Sequence, residues 1–256
     1  MDKNLYKKII RKLRWLDNFA FDVMNDQKIR IDRNKPHQSI IMYDMTKLHT
    51  SFGASTELIK RGLGIDAMII VRSMLNNLIN MSWIANKDND QRAIKFVDYH
   101  AILRKKYLEK VKKHYSQEPR FGGILDQEKQ ILEYYLKVKN KFPDETKDWS
   151  GISIYERAKE VNKNFDYEIV YFLASSIEHS DVYVSKDFIE EVNDNEKTIH
   201  FRGGPSKAWF MGSAILSVKY LGEGVELFIK VFELDNKKLL RKLNLFGKRF
   251  TQLVSK

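Results

Sequence analysis

An all-α chain is what the sequence predicts: a single multi-helix bundle domain of about eight to nine helices over residues 1–256, with one small β-hairpin inserted near 187–203. Three observations carry that expectation. Apolar residues recur at three- and four-residue spacing through most of the chain, as on one face of a helix. The stretch Gly64–Asn86, GIDAMIIVRSMLNNLINMSWIAN, keeps that spacing throughout and reads as the buried centre. Period-two alternation occurs only in FIEEV and TIHF, either side of the turn-forming NDNE.

In chain order, residues 2–26 place Leu5, Ile9, Leu13, Leu16, Ala20 and Val23 on one face and a run of lysines and arginines elsewhere. A polar connector leads to Pro36, suited to a first helical turn, and a helix expected over 39–61 buries Ile41, Met45, Leu48, Phe52 and Ile59 before stopping at glycine. After the central helix, a charged helix over 90–115 has Ile94, Val97, Ala101, Tyr107, Leu108 and Val111 as its inner stripe. Lys105 and Lys106 lie on its basic outer face, which reads as a solvated surface or a binding one. A turn at 119–123, a helix over 126–141 and a loop anchored by Trp149 follow. Ser153 and Glu156 have capping-box spacing, and Asp166 is expected to cap a helix ending near His179. The C-terminal helical pair, 206–255, includes Gly212, Gly222 and Gly224, expected at close helix approaches, and ends in a segment whose charges are all positive.

The 256 residues hold 45 Lys and Arg against 34 Asp and Glu, a net charge of +11 that favours an anionic partner: RNA, DNA, a phosphorylated small molecule or another anionic ligand such as an acidic protein. Basic residues gather at Lys3–Arg14, Arg104–Lys113 and Lys237–Arg249, and Lys237, Lys238 and Arg241 head the most lopsided patch. If that patch is not a binding face, the terminal helix is a packing or homodimerisation element. With no cysteine, disulfides, thiolate metal sites and a cysteine nucleophile are excluded. The longest uncharged run, Ser73–Asn86, is too short and too polar to span a bilayer, so a cytoplasmic protein with no membrane partner is expected. Neither GLG at Gly62 nor RGGPS at Arg202 has the lysine spacing of a phosphate loop, and Glu178, His179 and Asp181 match no zinc pattern. No cofactor and no metal is expected.

Three segments, LIKRGLGIDAMIIVRSMLNNLINMSWI, WSGISIYERAKEV and YEIVYFLASSIEHSD, resemble a bacterial family known only as a domain of unknown function, with a family-like core over about 45–185. That family is similar in outline to the helical HEPN group, many of whose members are ribonucleases of defence and toxin systems. The resemblance highlights Arg72, Ser175 and His179. Asn76 stands where relatives tend to have glutamate, and LASSIE precedes His179 where a HEPN nuclease signature would place an arginine.

Ser175 and His179 are one helical turn apart. If their helix packs on the central one, Arg72, Asn76, Ser175 and His179 converge into a polar site, with Glu178 a further binding candidate. Two functions remain open. One is a binding or regulatory protein for an anionic partner, in which the cluster fixes helix register or senses a ligand. The other is a metal-independent ribonuclease in which His179 deprotonates a 2′-hydroxyl and Arg72 stabilises the phosphorane.

Overall fold

The computed structural model describes residues 2–115, 117–143, 148–179, 181–193 and 198–255. Four long helices open the chain: α1 (Lys3–Met24), α2 (Pro36–Lys60), α3 (Gly64–Asn86) and α4 (Asn89–His114). Shorter pieces follow: α5 (Gly122–Leu125), α6 (Glu128–Val138), α7 (Ile154–Glu160) and α8 (Asn164–Asp166). A π turn (Tyr167–Tyr171) carries α8 on into α9 (Phe172–Glu178), and α10 (Val182–Ser185) is one turn. Strands β1 (Ile189–Asn193) and β2 (Thr198–Phe201) pair antiparallel, and α11 (Phe210–Val231) and α12 (Asn236–Val254) close the chain. Nine helices of seven or more residues are present among the described residues, with α8 to α9 taken as one. The hairpin appears where the alternation placed it, though residues 194–196 of its NDNE turn lie outside the described residues.

Thirteen of the 23 residues of α3 are buried, more than in any other helix, because α2, α11, α7 and α9 all pack on it. The approach is closest at Gly64, where a Cβ would lie 2.5 Å from the Ala208 carbonyl oxygen and 2.7 Å from the Phe210 nitrogen. On the far side Ser55 of α2 and Ser217 of α11 share a buried hydrogen bond of 2.8 Å. The α1 stripe is buried as expected from Ile9 to Val23, and Leu243, Phe246 and Phe250 seat α12. Trp149 anchors its loop by edge contacts to Trp83 (5.3 Å) and Phe96 (5.0 Å). The Ser153–Glu156 capping box forms. Among the described residues no helix is long and apolar enough to cross a membrane.

Several local expectations are corrected. The second helix starts at Pro36 rather than 39, since proline at the first helical position loses no needed hydrogen bond. On α4, Ile94, Val97 and Tyr107 are exposed. Ala101, Leu108 and Val111 are buried as expected, but the buried face also includes Arg92 and Asp98, whose charges are met by Glu160 and Lys141, so hydropathy placed only half of the stripe correctly. Asp166 is not a cap. It lies inside the helix, buried, and accepts from Lys219 Nζ at 2.6 and 2.7 Å. Of the three glycines of α11, only Gly224 marks a close approach, against Leu48, while Gly222 faces open space.

Asp44, on α2, is buried with Oδ2 unpartnered among the described residues, and its backbone carbonyl accepts from Asn77 Nδ2 at 2.6 Å. Burial pushes its carboxyl from 3.8 up to about 7, with Lys47 opposing only in part.

These contacts set the expected effects on stability. Gly64→Ala lowers stability by at least about 2 kcal/mol, because the added methyl meets backbone that cannot swing aside. Gly222→Ala raises it by about 0.5–1 kcal/mol, as alanine is the better helix former in open space. Urea midpoints test the pair, and equal shifts would contradict the packing at Gly64. For Asp44, the folded acid keeps between about pH 4 and pH 7 a proton that the unfolded chain has released, so stability falls as pH rises through that window and levels off above it. Asp44→Asn removes that loss, worth up to about 4 kcal/mol at one pKa unit per 1.36 kcal/mol. Its melting temperature gains on wild type at pH 8 and not at pH 4; the same offset at both pH values would exclude a buried acid as the cause.

Candidate functional site: the Arg72 cluster and the basic helices

Arg72 projects from α3 toward α9, and its guanidinium is committed there. One terminal nitrogen is ion-paired with Glu178, the other donates to the Tyr171 hydroxyl at 2.7 Å, and the guanidinium carbon lies 4.3 Å from the Tyr171 ring centre. The ring of Tyr167 stacks on that of Tyr171 at 4.5 Å. Burial raises the Tyr167 phenol above its ordinary value, while Arg72 and Arg157 oppose the rise. One and two turns along α3, Asn76 and Asn80 are half-buried, with amide oxygens that have no partner among the described residues; Arg72 Nε has none either.

Helix phase explains which residues meet Arg72. At about 100° per residue, Glu178 lies about 20° from Tyr171 around the helix, whereas His179 is about 80° away. His179 also occupies the C-cap, outside the helix proper, and is exposed. Its ring has no hydrogen bond to another described residue. Ser175 is drawn back into its own helix, donating to the Tyr171 carbonyl at 2.6 Å. The convergence of α3 and α9 is therefore present, but the partners of Arg72 are Glu178 and Tyr171 rather than His179 and Ser175. Tyr171 was not among the site residues expected from the sequence, although it lies one turn before Ser175 and seven positions before Glu178.

A family model described as a family of unknown function, DUF5677, matches residues 38–197. The chain belongs to that family. No curated protein and no solved structure matches it. The DUF5677 match runs from near the start of α2 through β1, and so takes in the whole Arg72 cluster, but not β2, α1, α11 or α12.

Those flanking helices hold the second candidate surface. Trp15 of α1 stacks on Phe246 of α12 (4.6 Å, 13°) and on Phe19 (5.1 Å). Over this aromatic seam lie two cations, Lys12 Nζ 5.7 Å from the Phe246 ring and Lys242 Nζ 5.3 Å from that of Phe19. Lys237, Lys238 and Arg241 continue the exposed face of α12, and none of the three has an ion pair among the described residues. The α4 segment differs. Lys105 pairs with Glu109 at 3.1 Å, Lys112 with Glu128 of α6 at 2.7 Å, and Arg104 donates to Gln127. Lys106 is half-buried on the same helix. Two of the three basic segments adjoin; the third packs on α6 and is partly neutralised there.

If Arg72 and Glu178 act as a unit, Glu178→Gln alone destabilises the fold by about 1–2 kcal/mol, since a partly buried guanidinium loses its counter-charge. Adding Arg72→Met recovers most of that loss. A double-mutant cycle by urea unfolding measures the coupling; strictly additive effects would mean that the pair contributes nothing.

Proposed function

We propose that the protein binds an anionic polymer, RNA or DNA, along the face shared by α1 and α12, and that the Arg72 cluster orders α9 against the central helix. The supporting observation is the basic seam: Lys12 lies over Phe246, Lys242 over Trp15 and Phe19, and α12 has no acidic residue along its length. Clustered cations suit a phosphate backbone, and because Phe19 and Phe246 beneath them are buried, the contact is through charge rather than through stacked bases. Binding is preferred to cleavage because the forked donor a phosphorane would need is engaged by Glu178 and Tyr171, and because no described residue orients the His179 ring.

The test is fluorescence anisotropy with a single-stranded RNA of mixed sequence across a salt series. Affinity falls steeply with salt, and the triple reversal Lys237→Glu, Lys238→Glu, Arg241→Glu flattens the slope of log K against log salt by roughly 0.7 for each phosphate that the variant leaves unneutralised. The three residues are exposed, so circular dichroism and melting stay as in wild type. Unchanged affinity in the triple variant would remove α12 from the interface. The same RNA is recovered intact after incubation. Cleavage that disappears in His179→Ala would replace the binding reading with a nuclease.

A further inference from the structure

A second basic feature lies away from the α1–α12 face. The connector between α1 and α2, the first turns of α2 and α4, and the last turn of α11 with the residues after it enclose an open basin of about 760 Å³, and no residue of α1 or α12 lines it. Its two sides differ in chemistry. One side presents Lys28, Arg30 and Lys35, all exposed, with Lys230 opposite. The other carries Ala85 of α3 and Leu227, Val231 and Phe232 of the α11 end, beside Lys230 and Glu233, and the Phe232 ring is held by Phe228 at 4.5 Å.

The charges on the cationic side are unevenly engaged. Lys28 and Lys35 have no ion pair among the described residues, whereas Lys230 is held by Glu226 at 2.6 Å. Arg30 gives one terminal nitrogen to the carbonyls of Gln27 (2.5 Å) and Ile29 (2.8 Å), which fixes the guanidinium at the rim and leaves its other terminal nitrogen available. Two carboxylates share the basin. Asp90 is taken up by His37, whose Nδ1 lies 2.6 Å away and whose backbone N–H donates at 3.3 Å. Glu233 stands exposed on the side of α11. Lys28, Arg30 and Lys35 thus line a concavity with two carboxylates, of which Asp90 is already hydrogen-bonded to His37. A polyanion lying across an open surface has no use for an apolar wall, whereas a small molecule that is anionic at one end and planar or apolar at the other fits both sides at once.

We propose that this basin binds a phosphorylated small molecule of nucleotide size, with its phosphates at Lys28, Arg30 and Lys35 and its planar portion against Leu227, Val231 and Phe232. The site is separate from the proposed polymer face, and the two readings fail independently. Because α2 and α4 both begin at the basin, a ligand there would bear on the start of α2, which packs along α3.

Isothermal titration calorimetry with ADP, pyrophosphate and adenosine separates the two ends of the basin. ADP binds saturably with a Kd below about 1 mM, and pyrophosphate and adenosine each bind at least about tenfold more weakly. The double variant Lys28→Glu, Lys35→Glu loses ADP affinity by at least about tenfold, since each reversal turns attraction into repulsion at close range, while its melting temperature holds. The triple variant of Lys237, Lys238 and Arg241 leaves ADP affinity as in wild type. The site is overturned by absence of saturable ADP binding up to about 5 mM, or by unchanged affinity in the Lys28 and Lys35 variant. Loss of ADP binding in the α12 variant would overturn it too, assigning the nucleotide to the polymer face. Pyrophosphate binding as tightly as ADP would refute the role of the apolar wall.

Discussion

The enclosure of α3 by α2, α11, α7 and α9 is the constraint on which the other elements depend. A helix packed on so many sides has little free surface on which to place polar groups, so each polar side chain it carries dictates something about a neighbour. Asn77 points at α2 and takes up the Asp44 carbonyl. Arg72 points the other way, and because its charge must be met where water is scarce, α9 has to deliver Glu178 and Tyr171 to it. The apolar contacts of α3 could tolerate a slide of α9 by a residue. The guanidinium could not, since a one-residue slide rotates Glu178 by about 100° off the shared face.

The same solution recurs at the corner of α3, α4 and α7. Arg92 lies 3.5 Å from the Trp83 ring centre and reaches Glu160, which also accepts from the Trp83 indole at 2.9 Å. Arg157, buried beneath Trp149, pairs with Asp148 at 2.6 Å and donates to Ser150; burial pulls its pKa down and Asp148 works against that. Planar guanidinium groups can stack on a ring and fork to a carboxylate together, which an ammonium cannot. The three segments that carry the resemblance meet through these pairs: Trp83 with Trp149, Arg72 with Tyr171, Tyr155 with Tyr167. Much of the family pattern in this chain is therefore spent on holding the segments to one another.

This division explains what could be read in the sequence. The stripes of α1 and α3, the hairpin, the capping box and the Trp149 anchor were legible because burial there follows apolar period or a local hydrogen bond. The face of α4 was legible only in part: Ala101, Leu108 and Val111 go inward as their spacing suggests, but Arg92 and Asp98 go inward too with their charges, and a hydropathy pattern scores both as outward. Asp166 resembled a cap because nothing near it in sequence announces Lys219, 53 positions later. At the candidate site, the meeting of α3 with α9 was legible, yet His179 drew attention by residue type while helical phase favoured Glu178. Phase alone would have separated them, had the helix end been known to fall before His179.

Charge teaches a related lesson. A net charge of +11 describes the whole chain, and the sequence offered three basic segments, of which Lys237–Arg249 was the most lopsided. Tertiary structure separates them further: α4 meets Glu109 and Glu128, whereas α12 has no carboxylate of its own and lies beside another basic helix. A surface shaped only for solubility intersperses both signs, because like charges on adjacent helices repel and that repulsion works against folding. Here the two helices are pressed together by Trp15, Phe19 and Phe246, and the ring faces under Lys12 and Lys242 offset part of the repulsion. The remainder would be relieved by a polyanion along the seam, so under the proposed function the same contacts that make α12 costly to seat would make an anionic partner favourable to bind.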